Sequence, residues 1–116
     1  MNFAAESNPM YDTVVNGATI LSCNITTTKK CYIVIIALNI SWEVAQHTQI
    51  QRGGVDKTVE TTISGADFVC QFMYASLQYA SEVLVAGTYQ YDLVNTGGHD
   101  LYVFGSAMKI VAVTAT

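Results

Sequence analysis

Cys31–Tyr32–Ile33–Val34–Ile35–Ile36–Ala37–Leu38–Asn39–Ile40 is the stretch that decides the fold. It is the longest run almost free of polar side chains, and β-branched residues dominate it. Such residues lose less χ1 freedom on a pleated strand than in a helix, so the run reads as a strand. Both of its faces are apolar. It must therefore be covered twice, once by a second sheet and once by another layer or a partner subunit.

On its N-terminal side, Ala18–Thr26 alternates as a half-exposed strand, with Ala18, Ile20 and Ser22 against Thr19, Leu21 and Cys23. Thr26–Lys30 then breaks the apolar pattern and reads as a hairpin tip, with Lys29 and Lys30 as exposed turn residues. A loop of three or five residues would set Cys23 directly opposite Cys31. Two outcomes stay open there: a cross-strand disulfide, or two buried thiols behaving as small hydrophobes. Cys70 reads as core, and three cysteines without close pairs or neighbouring histidines do not make a metal site. Tyr11–Val15 fits a short strand stopped by Asn16–Gly17. Residues 1–10 read as an irregular arm with Phe3 and Met10 as apolar anchors, and residues 11–116 as a single domain.

On the C-terminal side, Gln49–Arg52 is a short strand ending in a tight turn at Gly53–Gly54, and Val55–Ile63 alternates like an edge strand. Residues 67–82 are ambiguous. A strand would gather Phe68, Cys70, Phe72 and Tyr74; a helix would gather Val69, Met73, Ser76, Ala80 and Val83. A strand through Tyr74 followed by a bent connection is preferred, whereas a helix near 70–82 would give an α+β fold. From Val83 the pattern is clean. Tyr89, Tyr91 and Leu93 share one face of a strand, and Thr88, Gln90 and Asp92 share the other. Asp100–Phe104 is the next strand, Gly105–Ser106 punctuates, and Ala107–Val113 is the last. Eight or nine short strands with regular turns and one proline define an all-β sandwich or barrel.

Only 12% of the 116 residues are charged, against ~25% in an average soluble domain, so part of the surface is expected to be buried between subunits. A net charge of −4 with five scattered basic residues argues against a nucleic-acid partner. Neither a cleaved signal nor a run long enough to cross a bilayer is visible, so synthesis without export and no membrane insertion are expected. The sequons Asn24–Ile25–Thr26 and Asn39–Ile40–Ser41 carry weight only in a secreted chain.

No catalytic spacing stands out. His47 and His99 sit among polar turn residues, and a Ser64, His99 and Asp67 set can be assembled only on paper. No Gly-x-Ser-x-Gly elbow is present, and neither glycine pair precedes a helix start that would cradle phosphate. A non-enzyme without cofactor is expected. Aromatics at strand spacing are core or interface. Trp42, Tyr89, Tyr91, Tyr102 and Phe104 are the interface candidates, and Trp42 with the tyrosines is also the surface that a receptor- or glycan-binding module would use.

The run Leu84, Ala86, Gly87, Tyr89, Tyr91, Leu93, the Gly97–Gly98 turn and the closing Ala107–Val113 strand complete a pattern begun by Cys31–Ile40 and Ile50–Gly54. That pattern resembles the tumour-necrosis-factor-like jelly-roll modules of virion fibre, spike and decoration proteins. The resemblance implies a single jelly-roll β-sandwich of about eight strands. It also implies a homo-oligomer, usually a trimer packed through aromatic and aliphatic side chains, and a structural role in a virus particle assembled in a host cytoplasm.

Overall fold

A computed structural model describes residues 2–8, 12–41, 48–61, 66–67 and 74–114, and every element among them is a strand. In chain order these are β1 (Asn2–Asn8), β2 (Asp12–Val14), β3 (Thr19–Thr27), β4 (Cys31–Ser41), β5 (Thr48–Arg52), β6 (Val55–Asp56), β7 (Thr58–Thr61), β8 (Ala66–Asp67), β9 (Tyr74–Leu84), β10 (Gly87–Asn95) and β11 (Leu101–Thr114). They form two antiparallel sheets. Sheet A runs β1-β11-β4-β9-β7, with β2 beside β11 and β8 beside β9; sheet B runs β3-β10-β5-β6. The chain changes sheet between β2 and β3, β3 and β4, β4 and β5, β6 and β7, β9 and β10, and β10 and β11, a winding compatible with a jelly-roll sandwich.

The decisive run lies at the middle of sheet A as β4, flanked by β11 and β9 along its whole length. Its odd-numbered side chains Ile33 and Ile35 are fully buried against sheet B. Leu21, Cys23, Ile25, Ile50, Tyr91 and Leu93 meet them from the other layer. Beyond Ala37 the interior turns polar: Ser106 Oγ donates to Asn39 Oδ1 at 2.8 Å, and Gln78 Nε2 donates to the Thr48 carbonyl at 2.7 Å. These bonds offset the burial of Ser106, Asn39 and Gln78, whereas Ser76 Oγ, opposite Asn39, is buried with no hydrogen-bond partner among the described residues.

Four expectations are corrected. Residues 2–8 are not an irregular arm but edge strand β1, registered on β11 from Asn2 opposite Ala112 to Asn8 opposite Ser106. Tyr74–Leu84 is strand β9, in place of a bent connection or a helix, and packs on β4 from Tyr74 to Leu84; residues 68–73 lie outside the described residues. Gly105–Ser106 does not end a strand: β11 continues through it with a bulge between Val103 and Gly105. The extra residue resets the alternation, so Leu101 and Val103 point inward before the bulge, and Met108 and Ile110 after it. Finally, Thr28–Lys30 is a crossover between sheets rather than a hairpin tip, although both lysines are exposed as expected. Cys23 and Cys31 therefore sit on different sheets as two buried thiols, and Cys31 Sγ donates to the Lys29 carbonyl at 3.0 Å.

Local turn chemistry fits these paths. Gly53 and Gly54 both have positive φ, 62° and 81°, and they join β5 to β6 through a two-residue turn opposite Arg52 and Val55. L-residues rarely reach that region, which is why two glycines stand there. At the opposite end, buried Asn95 ties three segments together. Its Nδ2 donates to the carbonyls of Val14 and His99 at 3.0 and 2.9 Å, and its Oδ1 accepts from Gly97 N at 3.1 Å. Asn95→Ala removes all three bonds and strands two carbonyls and an amide. A loss of about 2–3 kcal/mol in urea unfolding is expected.

Candidate interaction face

The even-numbered residues of β4 point away from the core. Tyr32, Val34, Ile36, Leu38 and Ile40 are all apolar, and all are exposed or half-buried. On β9 the residues registered against them include Val83, Ser81, Tyr79 and Leu77; on β11 they include Val113, Val111, Lys109 and Ala107. The outer face of sheet A is thus a broad apolar surface carrying, among the side chains described on these three strands, one charge at Lys109. Six of the nine most exposed large hydrophobic residues described lie on it: Tyr32, Ile36, Leu77, Val83, Tyr102 and Val113. With their half-buried neighbours they line one continuous apolar surface, of the kind that marks an interaction site rather than singly scattered surface hydrophobics. Between β4 and β9 the surface dips into an open cleft of about 170 Å³ lined by Val34, Ile36, Leu77, Gln78 and Tyr79.

The outer face of sheet B is the opposite in character. Ser22 Oγ donates to Asp92 Oδ1 at 2.6 Å, Gln90 Nε2 donates to the same oxygen at 2.9 Å, and Gln51 Nε2 donates to Asp56 Oδ1 at 2.8 Å. The Thr26 and Thr88 hydroxyls pair at 3.0 Å. Polar side chains satisfied across a sheet make a surface suited to water. The sandwich has one wet face and one greasy face.

The two sheets are pinned together near the Cys31 end of β4 by a charged cluster. Glu82 on β9 accepts from Arg52 Nε at 2.8 Å and Nη2 at 3.0 Å, from Lys57 Nζ at 3.1 Å, and from the Tyr91 hydroxyl at 2.5 Å. The Arg52 guanidinium also lies over the Tyr89 ring, 5.7 Å from its centre, and the Tyr89 hydroxyl donates to the Val85 carbonyl at 2.6 Å. Burial works against the Glu82 charge, but the hydrogen bonds from Arg52, Tyr91 and Lys57 outweigh it and hold the carboxyl down at about 2. Burial first, and then the adjacent Glu82 carboxylate, push the Tyr91 phenol above its usual range, so it stays a donor. Three donors converging on one nearly buried carboxylate close the site, leaving Glu82 a structural anchor.

Of the five interface candidates, Tyr102 and Phe104 lie on the outer face of sheet A, Tyr102 at 47% exposure. Tyr91 is corrected: it is wholly buried, because the face it shares with Leu93 is the inner one. Tyr89 is half-buried beneath Arg52 and bonded within its own chain. Trp42 lies outside the described residues, as do His47 and Ser64. His99 is exposed, its Nδ1 3.1 Å from the Gly97 carbonyl. Asn39, in the second sequon, is 1% exposed and unavailable for modification in the folded chain.

The β9 half of the face, with Leu77, Tyr79 and Val83, escaped sequence reasoning. The signal was there, since Leu77, Tyr79, Ser81 and Val83 alternate with buried Gln78 and Ala80, but helical spacing fitted the same letters. No protein-family model matches this sequence, and no curated protein matches it either.

Proposed function

We propose that this chain is a non-enzymatic structural protein of a virus particle, a capsid, decoration, spike or fibre component that associates with copies of itself. The observation that carries the reading is the outer face of sheet A: a central strand apolar on its outward side from Tyr32 to Ile40, continued by Leu77, Tyr79 and Val83. A chain with so few charges has little else to keep such a surface dispersed, and burying it between copies removes it from water. The particle role and the expected trimer rest on the likeness to tumour-necrosis-factor-like jelly-roll modules, with which the two-sheet winding is compatible.

Equilibrium sedimentation of the full chain tests self-association. A mass three times the 12.6 kDa of one chain is expected. Leu77→Glu, which places a carboxylate on the face two strands away from Lys109, is expected to yield the monomer, since an unpaired charge buried in an interface costs several kcal/mol, roughly a hundredfold or more in dissociation. A wild-type chain that stays monomeric at high concentration overturns the reading. Recovery of its peptides in many copies from purified virus particles tests the particle role.

A further inference from the structure

We propose that Asn16 is a modification site gated by the fold: it loses its side-chain amide to water once the turn between β2 and β3 opens, and keeps it while that turn is closed. Asn16 is the one asparagine of the chain followed by glycine. The others precede Phe3, Pro9, Ile25, Ile40 and Thr96, whose side chains or ring crowd the next nitrogen. Gly17 has no Cβ, so its amide nitrogen is free to approach the Asn16 side chain. Both residues are exposed, and solvent hydroxide reaches them. The reaction consumes only water. Hydroxide takes the Gly17 N–H proton, the nitrogen bonds to Asn16 Cγ, and the Cγ–Nδ2 bond breaks as ammonia leaves with a proton from water. Water then opens the five-membered imide at either carbonyl. One opening gives aspartate; the other gives isoaspartate, which adds a methylene to the backbone.

The closed turn engages both reacting groups. Gly17 N donates to the Asn95 carbonyl at 2.8 Å, so the proton that must leave is already held. Asn16 Oδ1 accepts from Gly98 N at 2.8 Å, which ties the carboxamide to the loop before β11. That second bond polarises Cγ and by itself would favour attack. The first one decides, because ring closure must pull Gly17 N away from Asn95 and strip its carbonyl of this donor. Ala18 N on the Val15 carbonyl and Asn95 N on the Ala18 carbonyl, each at 3.0 Å, fix the turn on its far side. Asn95 is the hub, since its side chain also holds Val14, His99 and Gly97. Reactivity therefore follows the population of the opened junction, and the exposure of Asn16 alone does not set it. A copy that has opened at this end is marked permanently.

Incubation of the full chain at mildly alkaline pH, with peptide mass spectrometry that resolves Asn16 from its aspartate and isoaspartate products, tests this. Folded wild type is expected to deamidate at Asn16 at least about tenfold more slowly than the same chain unfolded in guanidinium chloride. Asn95→Ala removes three bonds of the junction while leaving both reacting groups and the residue 95 carbonyl in the chain. With its strands confirmed by circular dichroism, that variant is expected to deamidate at Asn16 at least about threefold faster than folded wild type. Folded wild type reacting within about tenfold of the unfolded chain overturns the gate, a comparison that stands whether or not the variant folds. A folded Asn95→Ala chain that gains less than about threefold overturns it too, because the junction around Asn95 then does not control the reaction.

Discussion

Replacing Glu82 by alanine is expected to destabilise the fold by about 2–3 kcal/mol at neutral pH, less than the cost of breaking a fully buried ion pair because the Arg52 and Lys57 side chains left behind are partly exposed. The carboxylate is the only acceptor shared by Arg52, Lys57 and the Tyr91 hydroxyl among the hydrogen bonds and ion pairs described above. Its removal leaves the buried Tyr91 hydroxyl without that acceptor and sets two cations near each other. The same group sets an acid limit. Its folded value of about 2 lies below the ordinary carboxyl value of 4.5, so its contribution is complete above pH 4.5 and is lost as the pH falls from there towards 2. Allowing for partial solvent screening, the loss is on the order of 2 kcal/mol. Tyr91 acts in the opposite direction. Its raised value means that its contribution is intact below the ordinary tyrosine value and is lost only in strong alkali. Urea unfolding at pH 7, 4.5 and 3 checks both parts: wild type falls between pH 4.5 and 3, while Glu82→Gln starts lower at pH 7 and lacks this component. A Glu82→Ala variant within 1 kcal/mol of wild type at pH 7 would show that the cluster contributes nothing net.

What the letters disclosed, and what they withheld, follows from how local each signal is. β4 was legible because ten consecutive residues carry the same message, and the grouping of β10 into two faces was legible because Tyr89, Tyr91 and Leu93 alternate strictly with polar residues. That β4 is apolar on both faces was legible too, since this is a property of that strand alone. Sheet membership was not. Thr28–Lys30 joins β3 to β4 with three residues, and nothing in three polar letters separates a hairpin from a step between layers. Tyr91 was misplaced for a related reason. Alternation groups residues into faces without saying which face is inner, and its hydroxyl, the feature that marks it as amphipathic, turned out to be spent on Glu82. The charged cluster draws Arg52, Lys57 and Glu82 from positions up to thirty residues apart, so only the folded register brings them together. The β11 bulge hid the last strand's continuity, because Gly105 looks the same in a bulge as in a turn.

The neighbouring residues Ile35 and Ile36 offer the sharpest test of the two-sided strand. Both are isoleucine and both lie mid-strand in β4 with the same flanking strands, yet Ile35 is fully buried and Ile36 is 44% exposed. Ile35→Ala deletes three carbons from the middle of the inter-sheet core, where the surrounding strands cannot collapse without breaking their ladders. A loss of about 3–4 kcal/mol is expected, made up of lost transfer energy and the cavity left behind. Ile36→Ala removes the same atoms from a surface already half in water, and below about 1 kcal/mol of monomer stability is expected to go. Urea unfolding, carried out at protein concentrations low enough to hold the chain monomeric, separates the two. If copies associate through this face as proposed, the second variant acquires its own penalty at higher concentration, because Ile36 then leaves an interface rather than water, and its apparent stability should fall below wild type as the chain concentration rises. If the two substitutions cost the same in the monomer, the alternation of β4 between a core face and an outer face is wrong. If Ile36→Ala shows no concentration dependence while wild type does, copies meet elsewhere than on the surface that Ile36 occupies.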